Sequence, residues 1–81
     1  MKNIILEVKK IFSKSLKIPI KEINNKLSYI SSEKWDSINH MNIIAGIEKK
    51  YKIQLKMKDI IAMETFSKSI TIIKKYLKNN K

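Results

Sequence analysis

The chain has 81 residues and a formal net charge of +11, and all eighteen of its basic residues are lysine. A chain this short builds one domain, here residues 1–81, around a small core, which excludes enzymes needing two lobes and a deep cleft; without cysteine it also lacks disulfides and thiolate metal sites. Hydrophobic residues at 43% suffice for folding, so neither a disordered polybasic arm nor a low-complexity tail fits.

With one proline and one glycine, repeated hairpin turns are hard to build and helices are favoured. Ile4, Val8, Ile11, Phe12 and Leu16 recur at spacings of three to four with Lys9, Lys10 and Lys14 between them, predicting an amphipathic helix over about residues 2–16. Pro19 blocks its extension and pushes Ile18 toward extended geometry. Residues 17–35 form a long connection rich in Asn24, Asn25, Ser28, Ser31 and Ser32. Its Ile18, Ile20, Ile23, Leu27 and Ile30 are expected to pin it to the core. A loop this long in a small domain is usually functional.

Asp36 and Ser37 carry side-chain oxygens able to cap a second helix, which Ile38, Met41, Ile44, Ala45, Ile47, Glu48 and Tyr51 extend to about Tyr51. Gly46 lies inside it at a cost of about 1 kcal/mol relative to alanine, and close packing of a neighbouring element is the expected reason. A short third helix is predicted from Met57 to Met63. A fourth begins near Ser67, with Ile70, Ile73, Tyr76 and Leu77 on one side and Lys74, Lys75 and Lys78 on the other. The expected architecture is all-α, a small four-helix bundle with a long first loop and a short third helix. Trp35 is expected to pack the loop against the second helix, His40 to face solvent, and Met41, Ile44, Ile47, Tyr51, Met63 and Phe66 to be core.

A lysine excess of this size suggests nucleic acid or an anionic membrane as partner. The charge is uneven, however: residues 1–35 net +5, residues 36–66 only +1 and residues 67–81 again +5. The longest lysine-free stretch, residues 35–48, coincides with the start of the second helix. No arginine and no base-reading helix are legible, so a basic nucleic-acid-binding protein is the weaker alternative. No apolar run reaches the roughly 18 to 20 residues of a membrane span, and Glu7, Lys9 and Lys10 interrupt the opening before a signal core forms. The expected location is cytoplasmic, as a monomer without a membrane span.

Catalysis finds little support. His40 stands three residues after Ser37, but a serine nucleophile needs a base, an orienting acid and an oxyanion hole that converge, and Asp36 points elsewhere on the helix. No paired histidines, phosphate-cradling glycine loop or acidic calcium loop is present. What remains is a serine at a helix start, where amide hydrogens and the helix dipole favour an attached anion.

The run from Glu33 through Trp35-Asp36-Ser37-Ile38 to Ile47-Glu48 and Tyr51, followed by Ile53, Asp59-Ile60 and Thr65-Phe66, resembles the acyl carrier protein family. That family opens its second helix with Asp-Ser-Leu or Asp-Ser-Ile, ends the apolar stripe in Ile-Glu and an aromatic, and places a threonine before the fourth helix. The likeness spans nearly the whole chain. It implies a carrier rather than an enzyme, with 4'-phosphopantetheine from coenzyme A attached to the Ser37 hydroxyl and acyl groups carried on the arm's thiol as thioesters. By position, Asp36 assists recognition and metal-aided transfer, and Ile38 seats the helix start. The implied partners are a phosphopantetheinyl transferase, an acyl- or aminoacyl-activating enzyme, and an acyltransferase or synthase. An aminoacyl or peptidyl carrier of the same fold is the alternative within the family. One departure stands out: family members are usually acidic, whereas the outer face of the second helix here shows Asn39, His40 and Asn42.

Overall fold

The computed structural model describes residues 3–79. Four helices follow in order: α1 Ile4–Leu16, α2 Ser37–Tyr51, α3 Met57–Ala62 and α4 Phe66–Asn79, with a single 3-10 turn, Ile20–Glu22, in the first connection. The fold is the expected all-α bundle. The predicted start of the first helix, residue 2, lies outside the described residues. Within them the Asn3 side chain caps α1 by accepting from the Leu6 amide at 3.1 Å.

α1 and α2 stop in the same way despite the shortage of glycine. Lys17 and Lys52 adopt the left-handed conformation (φ 58° and 55°), and the next amides, Ile18 and Ile53, reach back to the Ser13 and Glu48 carbonyls at 3.3 and 3.2 Å. An apolar residue following a left-handed residue is the helix-terminating arrangement in which glycine is usual, and the lysines adopt it at a cost of roughly 1 kcal/mol each. α1 and α2 run antiparallel: Tyr51 donates to Glu7 at 2.7 Å near one end, and Gly46 faces Ile11 near the middle. A Cβ on Gly46 would stand 2.9 Å from Ile11 Cγ2, so the glycine serves the close helix crossing that the sequence suggested.

The core gathers Val8, Phe12 and Leu16 of α1, Ile43, Ile44 and Ile47 of α2, and Phe66, Ile70 and Ile73 of α4, together with Ile23, Trp35 and Met63 from between the helices. Phe12 lies at its aromatic centre, edge-on to Trp35 and Phe66 with both centroid distances 5.1 Å. Several expectations need correcting. Met41 is 53% exposed and Ile30 91% exposed, and Ile20 also faces solvent; Ile43 takes the buried place on α2, and the long loop is pinned by Ile18, Ile23 and Leu27, with backbone pairing besides. Its residues 27–29 pair with residues 64–66, the Phe66 amide donating to the Leu27 carbonyl at 3.1 Å and the Tyr29 amide to the Glu64 carbonyl at 2.7 Å. Backbone hydrogen bonds of this kind need no apolar side chain, so Ile30 is free to face water.

A polar knot joins α3 to α4. The buried Asp59 carboxylate accepts from the Tyr76 hydroxyl, lies 3.7 Å from the Lys75 ammonium, and Tyr76 in turn accepts from the Lys56 amide at 2.9 Å. The Tyr76 bond, followed by the charges of Lys75 and Lys58, holds the Asp59 carboxyl below its ordinary value of 3.8 even though desolvation opposes this. A lowered folded value means that Asp59 contributes stability above the unfolded value and loses that contribution as pH falls through the folded one. Below pH 4 the stability of the wild type is therefore expected to fall more steeply than that of Asp59→Asn. Urea melts across that range check it, and parallel slopes for the two proteins would contradict it.

Candidate functional site

Ser37 is the first residue of α2 and is exposed to solvent. Its position follows from its neighbours. Asp36 adopts extended geometry as the N-cap, and its carboxylate accepts from the Asn39 amide at 2.8 Å, which fixes where the helix begins. Asn39 donates its side-chain amide to the Lys34 carbonyl at 2.8 Å, tying the entering chain to the first turn. Asp36, Ser37 and Ile38 thus form one exposed helix start, as their contiguity requires. Ile38, however, is 75% exposed and does not seat the helix against the core.

Trp35 does the seating. Its side chain is buried beside Phe12, and its indole Nε1–H donates to His40 Nδ1 at 2.9 Å. His40 Nε2 lies 2.8 Å from the Ile60 carbonyl. A carbonyl only accepts, so Nε2 carries the proton and the ring is the neutral Nε2–H tautomer. The expectation of a solvent-facing histidine is corrected: His40 is half-buried, stacked on Trp35 at 5.9 Å with rings inclined 25°, and bridges the start of α2 to α3. Removing it strands a buried indole donor, at a cost of about 1–3 kcal/mol. His40→Ala is expected to lower the unfolding free energy by about that amount, and His40→Gln, which keeps an acceptor and a donor, to lose less; equal losses in urea melts would argue against the bridge.

Tyr29, unremarked in the sequence, completes the site. Its ring meets both Trp35 (6.2 Å) and His40 (6.1 Å) edge-on, and its hydroxyl hydrogen-bonds with Ser37 Oγ at 3.3 Å. Only the pairing of residues 27–29 with residues 64–66 brings it there, and no local pattern announces that pairing. Trp35, five residues before His40, was the one legible signal for the bridge.

The chemistry of this arrangement is that of an acceptor. Both nitrogens of His40 are engaged by Trp35 and Ile60, and the Asp36 carboxylate holds the Asn39 amide. Among the described residues the one side-chain hydrogen bond at Ser37 Oγ is to the Tyr29 hydroxyl, in which either oxygen can donate, and a phenol is a poor base for a serine proton, so reaction at Ser37 calls for a base from elsewhere. The hydroxyl is open to a second protein. Around it α2 exposes Met41 and Ala45 beside Ile38, and the neighbouring α3 exposes Met57 and Ile61, the latter 68% accessible. Exposed apolar side chains gathered on adjacent helices mark a surface suited to contact. No helix among the described residues is long and apolar enough to cross a membrane.

No family model matches the sequence. Among characterised proteins, the chain is 33% identical over 73 residues to the "Acyl carrier protein" of Buchnera aphidicola subsp. Schizaphis graminum (strain Sg), covering 90% of this chain and 92% of that one. It is 32% identical over 75 residues to the "Acyl carrier protein" of Buchnera aphidicola subsp. Acyrthosiphon pisum in strains Tuc7 and APS, covering 93% of this chain and 94% of each relative. Likeness at this level, end to end over chains of matching length and with the Asp36-Ser37 helix start in an all-α bundle, leads to one conclusion: the chain belongs to the acyl carrier protein family.

Proposed function

We propose that Ser37 carries a 4'-phosphopantetheine arm transferred from coenzyme A, and that the protein delivers acyl groups between enzymes of fatty-acid-related or specialised biosynthesis. The observation that carries this reading is the exposed, unactivated Ser37 hydroxyl at a capped helix start. The arm supplies a terminal thiol on which an acyl group travels as a thioester. The chain's own residues position the attachment point. Asp36 fixes the first turn, Tyr29 orients the hydroxyl, and the positive end of the α2 dipole favours the negative charge of a phosphodiester. Trp35 and His40 hold that turn against α1 and α3, so that a transferase meets a preformed target rather than a mobile loop.

The partners that follow are a phosphopantetheinyl transferase, an activating enzyme that loads the arm, and an acyltransferase or synthase that unloads it. A cytoplasmic location suits all three. Incubating the protein with coenzyme A and a phosphopantetheinyl transferase is expected to add the mass of one phosphopantetheine. A protein that gains none, with a transferase shown to be active on another carrier, contradicts the reading.

A further inference from the structure

We propose that the groove between α1 and α2 docks an acidic, amphipathic segment of a partner protein. The proposal rests on the carrier reading, because the groove starts within one turn of Ser37, on the opposite side of α2, and its occupant leaves the arm free. In sequence, residues 35–48 are the lysine-free window of a basic protein, carrying only the charges of Asp36 and Glu48. In space they are not. The antiparallel α1 lays Lys14 and Lys17 alongside the Asn39 and Asn42 face of α2, and Lys49 and Lys50 follow on α2 itself. Together they surround a recess of about 750 Å³ whose floor is Ile11 packed on Gly46.

No carboxylate lines this groove. The Lys50 ammonium is 3.9 Å from Glu7 at its far end, but Lys14, Lys17 and Lys49 have no carboxylate within 4.0 Å among the described residues. The groove begins at Asn39, two residues from Ser37. It reaches Lys50 about 16 Å further along the helix, the length of three turns. At about 100° per residue these α2 positions lie on the side of the helix away from Ser37, so an occupant here leaves the attachment site uncovered.

Two features choose the occupant. The uncompensated lysines call for negative charge, and the apolar floor that Ile11 makes where it packs on Gly46 calls for an apolar side chain. A nucleic-acid backbone satisfies the first and leaves the recess empty, whereas a polypeptide carrying both carboxylates and an apolar anchor satisfies both. Charge then provides steering and register and the anchor provides affinity. The usual polarity, an acidic carrier against a basic enzyme, is reversed on this face.

The test uses the full chain, isotope-labelled, with three probes: a synthetic peptide of Glu and Leu, an all-Glu peptide of the same length, and oligo-dT. The Glu/Leu peptide is expected to shift the amide NMR signals of Ser15, Asn42 and Gly46 and to bind more tightly than all-Glu. Lys14→Glu with Lys49→Glu is expected to weaken that binding by roughly tenfold, and the control pair Lys68→Glu with Lys78→Glu on α4 by less than about threefold. All four lysines are exposed, so the variants fold. Shifts scattered over lysines elsewhere, equal losses in the two variants, or tighter groove binding by oligo-dT would each overturn the proposal. Loading of Ser37 is read separately by intact mass. A protein that loads but shows no groove binding defeats the docking proposal alone, and one that does not load defeats the carrier reading alone.

Discussion

Ser37→Ala is expected to abolish attachment of phosphopantetheine while leaving the fold intact. The serine oxygen is the atom that would bond to the phosphorus, and among the described residues no other hydroxyl combines exposure with the first position of a helix capped by an aspartate. The loss should therefore be complete rather than partial. Structurally the change is mild. Ser37 is exposed, its one side-chain bond is the 3.3 Å contact with Tyr29, and the cap belongs to the preceding residue. A surface substitution of this kind usually moves stability by no more than about 0.5 kcal/mol. Asp36→Ala makes the useful contrast: it removes the cap, at about 1 kcal/mol, and is expected to slow loading without preventing it. Intact mass after incubation with coenzyme A and the transferase, alongside urea melts, checks both. A Ser37→Ala protein that gains the same mass as wild type would show that the attachment site is elsewhere.

Phe12→Ala is expected to have the largest effect on the fold. Phe12 is fully buried and touches both aromatic partners that tie the ends of the long loop and α4 to α1. Deleting a buried phenylalanine costs about 3–5 kcal/mol, part from lost burial and part from the cavity. A domain of this size has roughly 4–12 kcal/mol in total. The loss is thus comparable to the whole stability of a modest domain, and a large unfolded fraction at 25 °C is expected by circular dichroism. The consequence reaches the site, because Trp35 packs edge-on against the same ring and positions the turn that presents Ser37. Phe12→Leu keeps most of the volume and should remain folded. A loss under about 1 kcal/mol for Phe12→Ala would mean that the aromatic cluster is not the centre of the core.

Helix order and most boundaries were legible because α1 and α4 each carry a one-sided apolar stripe, and because Asp36 and Pro19 act within a residue or two of where they stand. The third helix ends at Ala62 rather than Met63, and the fourth begins at Phe66 rather than Ser67, since Thr65 caps α4 by accepting from the Lys68 amide at 3.0 Å. α2 was harder. Ile38, Met41, Ile43, Ile44, Ala45 and Ile47 spread over about 220° of its circumference, so periodicity does not decide which apolar residues turn inward. Ile43, Ile44 and Ile47 are buried, while Ile38 and Met41 are left to the exposed surface near Ser37.

At the site the same division holds. The Asp36-Ser37 start is local and was read from the chain. The Tyr29 contact, the His40 bridge to Ile60 and the lysines that α1 places beside α2 all depend on residues distant in sequence, and no spacing along the chain encodes them. The charge shows the point most clearly. A window without lysine in sequence became a groove edged by lysine once α1 was folded against it.

The most direct test is a peptide map, by mass spectrometry, of the protein purified from its own cells. The expected result is a single phosphopantetheine, with or without an acyl group on its thiol, on the fragment containing Asp36 and Ser37. A Ser37 that is unmodified throughout, or a phosphopantetheine found on any other residue, would contradict it.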